Sequence, residues 1–553
     1  MDLKSLDYMW LNRVGATVTK TVSHMLVPST LQKNPAFETF IWLVECQEKL
    51  TLDEVIDFIK NFPQWYITWW KHMYESAPVH VVVETCMIVW IVWLLFIRKT
   101  ADPKKKAKDT KLTEKEIKWL VKTWEPEPLV PELTQAQIIQ NNNFVQVNGI
   151  SGENGNYLKV DGVKNDVLNL GSFDFLGLSS VPTVKTNIRG ALNKYGCGSC
   201  GPRGFYGTID VHLEFEAAIA KFMGVQEAIA YSDSASGITS TISAFAKKGD
   251  LLIMDEGCHE AIRTGARLSR STVRTFKHND TNDLRSILEG IDAEDRKKKR
   301  DAQQQRRFIV TEGLFRNTGE ICALPSILAL KEKFHYRMIL DESGSFGTLG
   351  NTGRGVTEHF KVPVTDIEII TIAMDNVLAS VGGVCIGSRE VVDHQRLSGP
   401  GYCFSASACP FLSVAATSAL THMENNAGLL GDLEKNSRAL AEGAAKVKGM
   451  KIKGKQIQPE SPIIHLEVDP ALGYSASQCK EIVNDIASRC LQRGSGIPTC
   501  KFSLAGVAPS LAPSIRLNSN ACLTSAEIKQ SIKDLSSSVD EALKAFKKTA
   551  AKK

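Results

Sequence analysis

The chain has 553 residues, well beyond the roughly 150 expected of one domain, so more than one folded unit is expected. Hydrophobic residues are 43% and charged residues 23%, which excludes a disordered chain and a multi-span membrane protein. A net charge of +5, a small excess spread over a long chain, gives no nucleic-acid-binding field, and thirteen cysteines without framework spacing argue against a disulfide-stapled secreted protein.

Composition divides the chain sharply. All nine tryptophans (Trp10, Trp42, Trp65, Trp69, Trp70, Trp90, Trp93, Trp119, Trp124) precede residue 125. In residues 1–75, an N-terminal extension, Phe58, Phe62, Trp65, Trp69 and Trp70 recur at helical spacing beside Lys60 and Lys71. That pattern suits a helix in the membrane interface, or equally one packed on a partner. Within residues 76–98, VHVVVETCMIVWIVWLLFI (79–97) carries one carboxylate, Glu84, and is long enough to cross hydrocarbon as a single transmembrane helix. Arg98, Lys99, Lys104, Lys105, Lys106 and Lys108 follow it, so the positive-inside rule places everything after residue 98 in the cytosol. The run begins too late in the chain for a secretory signal peptide, and no short small-residue cleavage site follows it.

Residues 99–135 are polar and then proline-rich: Pro126, Pro128 and Pro131 keep their neighbours extended and make a semi-rigid connector. Beyond it, short β-rich runs alternate with helical ones: EAIAY (227–231), LLIMD (251–255), FIVTEG (308–313), YRMILDE (336–342) and IEIITIAM (367–374). The spacing leaves room for crossover helices and predicts an α/β domain with a mostly parallel sheet over 136–429, followed by a smaller C-terminal α/β domain over 430–553. The run DRKKKRDAQQQRR (295–307) is expected to be a solvated loop, too charged to pack.

In such sheets ligands bind outside the carboxyl ends of the strands. Tyr231 and Ser232, His259, Asp341 and the segment DNVLASVGG (375–383) all follow predicted strands, and the loop GCGSCGPRGFYG (196–207) has five glycines that permit close backbone approach. Cys197 and Cys200 lack a second pair at zinc spacing, so no metal site is expected.

The order of the strings carries more than any one of them. WEPEPLVP, YGCGSCGPRGFYGTIDVHLEFEAAIAKFMG, FKHNDTNDL, LDESGSFGTLGNTGRGVTEH, DNVLASVGG and HQRLSGPGYCFSAS together resemble the α-oxoamine synthase family of pyridoxal-phosphate enzymes, and within it the first, non-catalytic long-chain-base subunits. The resemblance runs from about residue 115 to the C-terminus and implies a fold type I PLP-dependent transferase. It implies that Asp341 pairs with the pyridine nitrogen of the cofactor and His259 stacks on its ring. The sequence departs from the family at three places. Asn376 stands where the family carries its Schiff-base lysine, Gly344 where it carries a second histidine, and Arg316 where it carries a serine. An amide forms no imine, and no lysine lies between Lys361 and Lys435 to replace it.

The resemblance therefore implies a subunit that completes the active site of a lysine-bearing partner, the partner binding pyridoxal phosphate covalently. Cys200, Arg203 and Tyr231 would approach the partner's cofactor or substrate, and Ser405 and Ser407 its phosphate. The implied reaction condenses L-serine with palmitoyl-CoA to 3-ketosphinganine at the endoplasmic-reticulum membrane. Small membrane regulatory subunits and ORM-type proteins are the further partners it implies. Two alternatives are a self-sufficient homodimeric acyltransferase and a non-enzymatic membrane scaffold or regulatory protein with the same fold.

Overall fold

A computed structural model describes residues 67, 71, 86–87, 89–90, 112–126, 129, 132–133, 145–198, 201–300, 304–454, 458–500 and 513–550. Contacts group the chain into two units, Met1–Glu132 and Leu133–Lys553.

In the first unit the helix Glu114–Thr123 starts at a reciprocal cap. The Thr113 hydroxyl accepts from the Glu116 amide while the Glu116 carboxylate accepts from the Thr113 amide at 2.7 Å. The expected aromatic helix and membrane span lie outside the described residues apart from the helical positions 67, 71, 86, 87, 89 and 90. Among the described residues no helix is long and apolar enough to cross a membrane.

The second unit begins with β1 (Val147–Ser151), β2 (Tyr157–Val160) and β3 (Val167–Asn169), an antiparallel meander. The main sheet follows: β4 (Glu227–Tyr231), β5 (Leu251–Asp255), β6 (Thr272–Phe276), β7 (Arg307–Glu312), β8 (Arg337–Asp341), β9 (Ile369–Ala373) and β10 (Gly383–Gly387). Its spatial order is β4-β10-β9-β8-β7-β5-β6, parallel except for β10, which runs antiparallel to both β4 and β9. The central strands are rich in Ile, Leu and Val, as expected of a sheet covered on both faces; β7 and β9 are buried throughout. All five runs read from the sequence are strands of this sheet. β6 was missed because TVRTF alternates like a half-exposed edge, and β10 because GVCIG is five residues with glycine at each end.

Two apolar cores result. The first surrounds the seven-stranded sheet and includes Phe175, Phe215, Phe308 and Phe346. The second lies under the antiparallel sheet of β11 (Met450–Ile452), β12 (Ile463–Val468), β14 (Thr499–Cys500) and β15 (Ser514–Asn518), in the order β11-β12-β15-β14. It includes Leu168 and Leu170, because β13 (Ser495–Gly496) pairs in parallel with β3. The meander thus shares its core with the C-terminal segment rather than with the main sheet it precedes.

The charged run 295–307 is not the solvated loop expected of it. Residues 295–298 complete the helix Thr281–Lys298, and Arg307 opens β7. Asp295 and Arg307 are buried together 2.5 Å apart, with Arg300 at 3.1 Å from the same carboxylate. Opposite charges at this spacing compensate one another, so part of the run packs.

Candidate cofactor site

The carboxyl ends of β7 and β8 place Glu312 and Asp341 side by side, and the loop after β5 brings His259 to them. His259 caps the helix Glu260–Ser269: its Nδ1 accepts from the Ala261 amide at 3.2 Å, which leaves the proton on Nε2. Nε2 donates to Asp341 Oδ2 at 2.7 Å, and the His259 amide donates to Glu312 Oε1 at 2.6 Å. Burial alone would lower the histidine's pKa, but Glu312 and Asp341 outweigh it and the net direction is up. Burial would raise Asp341, yet the bonds from His259 and Ser343 hold it below the usual carboxylate value.

A pyridine nitrogen would have to share this carboxylate with the donors already on it. Oδ2 is taken by His259, while Oδ1 accepts from the Ser343 amide at 3.2 Å, the Ser343 hydroxyl at 2.5 Å and the Thr371 hydroxyl at 3.0 Å. Three donors crowd Oδ1, and Oδ2, with one, keeps a lone pair that a further donor would share with His259. His259 and Asp341, the pair expected to hold a cofactor ring, are bonded directly to each other.

The other positions agree. Asn376, buried in the turn after β9, donates its amide to the Ser343 carbonyl. At Gly344 a β-carbon would lie 2.5 Å from the Leu314 carbonyl oxygen, so the family's second histidine has no room. The Arg316 guanidinium sits 4.3 Å from the centre of the Phe173 ring, and Arg516 approaches the same ring at 4.3 Å. Asp233, which the sequence reading passed over, caps the helix Ser234–Phe245 and accepts from the Ser236 amide at 2.7 Å. This helix start abuts the beginning of β10, since a β-carbon at Gly383 would meet the Asp233 carbonyl at 3.0 Å. A helix N-terminus here is the natural seat for a phosphate, and it already holds a carboxylate. The signal was in the sequence: aspartate ahead of SASG, just after a strand, is a helix-cap pattern. The residues present give pyridoxal phosphate no amine for an imine on this chain, and the groups around that position already bond to one another.

Of the residues expected to reach a partner, Cys200 lies outside the described residues. Arg203 and Tyr231 are internal. Arg203 bonds Glu216 at 3.0 Å and the Thr208 hydroxyl at 3.0 Å, and Glu216 in turn accepts from the Ala230 amide at 2.8 Å. Tyr231 donates to Gln395 Oε1 at 2.7 Å and meets the Tyr402 ring edge-on. Their polar ends are spent inside the fold, where they fix the loops rather than line a surface.

Ser405 and Ser407 are half-buried, and the Ser407 amide donates to the Gly201 carbonyl at 2.9 Å, tying the segment after residue 404 to the glycine-rich loop. What this pair of loops presents outward is apolar: Phe205 and Tyr206 are 73% and 91% exposed and Phe404 is 86% exposed, with Leu397 on the preceding helix 88% exposed. The glycine-rich spelling drew attention to the loop but not to these side chains.

Residues 165–535 match the family model for aminotransferase class I and II. The chain belongs to this family. Within it, the chain is 43% identical over 416 residues to a rice (Oryza sativa subsp. japonica) protein named long chain base biosynthesis protein 1b, covering 75% of this chain and 82% of the relative. It is 37% identical over 461 residues to Dictyostelium discoideum serine palmitoyltransferase 1, covering 83% and 93% of the two chains. Among solved structures, Sphingomonas wittichii serine palmitoyltransferase shares the fold at a TM-score of 0.65 and 22% identity, over 74% of this chain and 97% of that one.

Proposed function

We propose that this chain is the non-catalytic first subunit of a heteromeric serine palmitoyltransferase, which condenses L-serine with palmitoyl-CoA to 3-ketosphinganine in sphingolipid synthesis. The names of the relatives support the activity, and the site supports the division of labour. One observation carries the reading: the position that should supply the lysine is Asn376, and Asp341, His259 and Asp233 around it are satisfied by the chain itself. The chain contributes architecture, and the partner holds pyridoxal phosphate on its own lysine, where the cofactor acts as an electron sink.

The exposed aromatic surface of Phe205, Tyr206 and Phe404 supports a heterodimer, since large apolar side chains grouped on two linked loops favour a buried partner surface. Residues 79–97 serve as a single-pass anchor in the endoplasmic-reticulum membrane with the fold on the cytosolic side, keeping the catalyst beside its apolar substrate and product. Small membrane subunits and ORM-type proteins complete the assembly.

Co-purification from native membranes tests this. A homologous chain bearing the missing lysine should accompany this one, the pair should turn over serine and palmitoyl-CoA, and the lone chain should not. Turnover by the lone chain would overturn the proposal.

A further inference from the structure

Two loops carry the exposed Phe205, Tyr206 and Phe404, and each ends where a helix begins. The first, residues 201–209, enters the helix Asp210–Met223; the second, residues 404–409, enters the helix Pro410–Asn425. The first is wound tightly. The Phe205 and Gly207 amides both donate to the Pro202 carbonyl, at 3.0 and 2.9 Å, and the Thr208 hydroxyl donates to the Arg203 carbonyl at 2.6 Å. A β-carbon at Gly207 would lie 2.0 Å from the Gly201 carbonyl oxygen, so this turn closes only on glycine.

His212 stands between the loops, in the first turn of the helix Asp210–Met223, with 1% of its surface exposed. Its Nδ1 accepts from the Ile209 amide at 3.1 Å, which leaves the proton on Nε2, and Nε2 donates to the Ala408 carbonyl at 2.9 Å. One ring thus caps its own helix and reaches across to the loop of Phe404. The bond to Ile209 needs the neutral ring, because a proton on Nδ1 would face the Ile209 N–H. Burial, and then the Arg203 guanidinium, lower the pKa of His212 against the pull of Glu216 and Asp210, and keep that form.

We infer that His212 is a positioning residue for the partner surface: it clamps the two loops together, so that Phe205, Tyr206 and Phe404 are held in one arrangement before the partner arrives. The inference rests on the proposed heterodimer and goes a step beyond it, naming a buried side chain that sets the surface from behind. Aromatic side chains on loose loops lose freedom when a partner orders them, and a surface held in place beforehand loses less. With the Ser407 amide on the Gly201 carbonyl as the backbone tie between the same loops, the His212 bond fixes the second point that stops one loop from turning against the other. Cutting that bond is expected to weaken association about tenfold.

A pair of substitutions of nearly the same shape tests this. At the third position of a helix, glutamine and glutamate can each accept from the amide of the capping residue, here Ile209, but only glutamine can donate to the Ala408 carbonyl. Association of the full-length chain with the lysine-bearing partner is measured by dilution in detergent, and the loop amides by hydrogen exchange in the lone chain. His212→Gln should bind as the wild type does. His212→Glu should bind about tenfold more weakly, with faster exchange at amides 203–208 and 405–408 and unchanged exchange at 216–222. Equal binding by the two variants, at wild-type strength or below it, overturns the inference, and so does weaker binding of His212→Glu with the loop amides unchanged. The heterodimer surface is read separately from Phe404→Asp: undiminished association of that variant refutes the surface. Lost association with Phe404→Asp beside equal binding of the two His212 variants refutes the clamp alone.

Discussion

Putting back the missing amine should not put back the cofactor. Asn376→Lys would place an ammonium where the amide now donates to the Ser343 carbonyl, but every other contact of the site stays filled. The largest obstacle is Asp233 at the start of the helix Ser234–Phe245. A phosphate seated there would lie within ~4 Å of the carboxylate, and at an effective dielectric of ~20 the repulsion of two unit charges is about 4 kcal/mol, near a thousandfold in affinity. Sharing Asp341 Oδ2 between His259 and the ring nitrogen adds to the cost. Titration of the purified full chain with pyridoxal phosphate, followed by reductive trapping and peptide mapping of position 376, should find no cofactor there in the single variant. Adding Asp233→Ser keeps a hydroxyl cap, removes the charge and should tighten binding by about a thousandfold. If Asn376→Lys alone takes up one cofactor per chain, the site is open and the reasoning fails.

Three further outcomes follow from the same geometry. Burial raises the Glu342 carboxyl from its usual 4.5 to about 7, and Glu342 Oε1 has no hydrogen-bond partner. A carboxyl raised in the folded state is stabilising while protonated, so stability should fall by about 3 kcal/mol as pH rises from 4.5 through 7 and then level off; denaturant midpoints for Glu342→Gln should lack that slope. Arg203→Met leaves Glu216 buried without its cation and should cost about 3–5 kcal/mol in thermal unfolding, with Glu216→Gln in the same chain recovering most of it. If the Arg203 variant is as stable as the wild type, the pair is not structural. Phe404→Asp, at an exposed position, should leave unfolding of the lone chain within about 0.5 kcal/mol while abolishing recovery of the lysine-bearing partner on affinity purification. Undiminished recovery would move the partner surface elsewhere.

The sequence showed the sheet well because its strands are short, buried runs, such as IITIA in β9, that only a doubly covered sheet explains. It was least informative where pairing is non-local. Nothing in VLN of β3 announces that it will pair with Ser495 and Gly496 more than three hundred residues later, so the meander could not be assigned to the second core. The site divides in the same way. Which residues were lost could be read position by position, since an amide at 376 forms no imine in any fold. How the remaining residues responded could not, because His259 and Asp341 are 82 residues apart and their bond is a property of the folded loops. Neither could the fates of Arg203 and Tyr231, which look like site residues in their motifs and prove to be internal supports. These observations share one physical cause. An unpaired buried Asp341 or an uncapped helix at Asp233 would cost stability. The residues of the site bond to one another, while Arg203 and Tyr231 brace the loops from inside the fold.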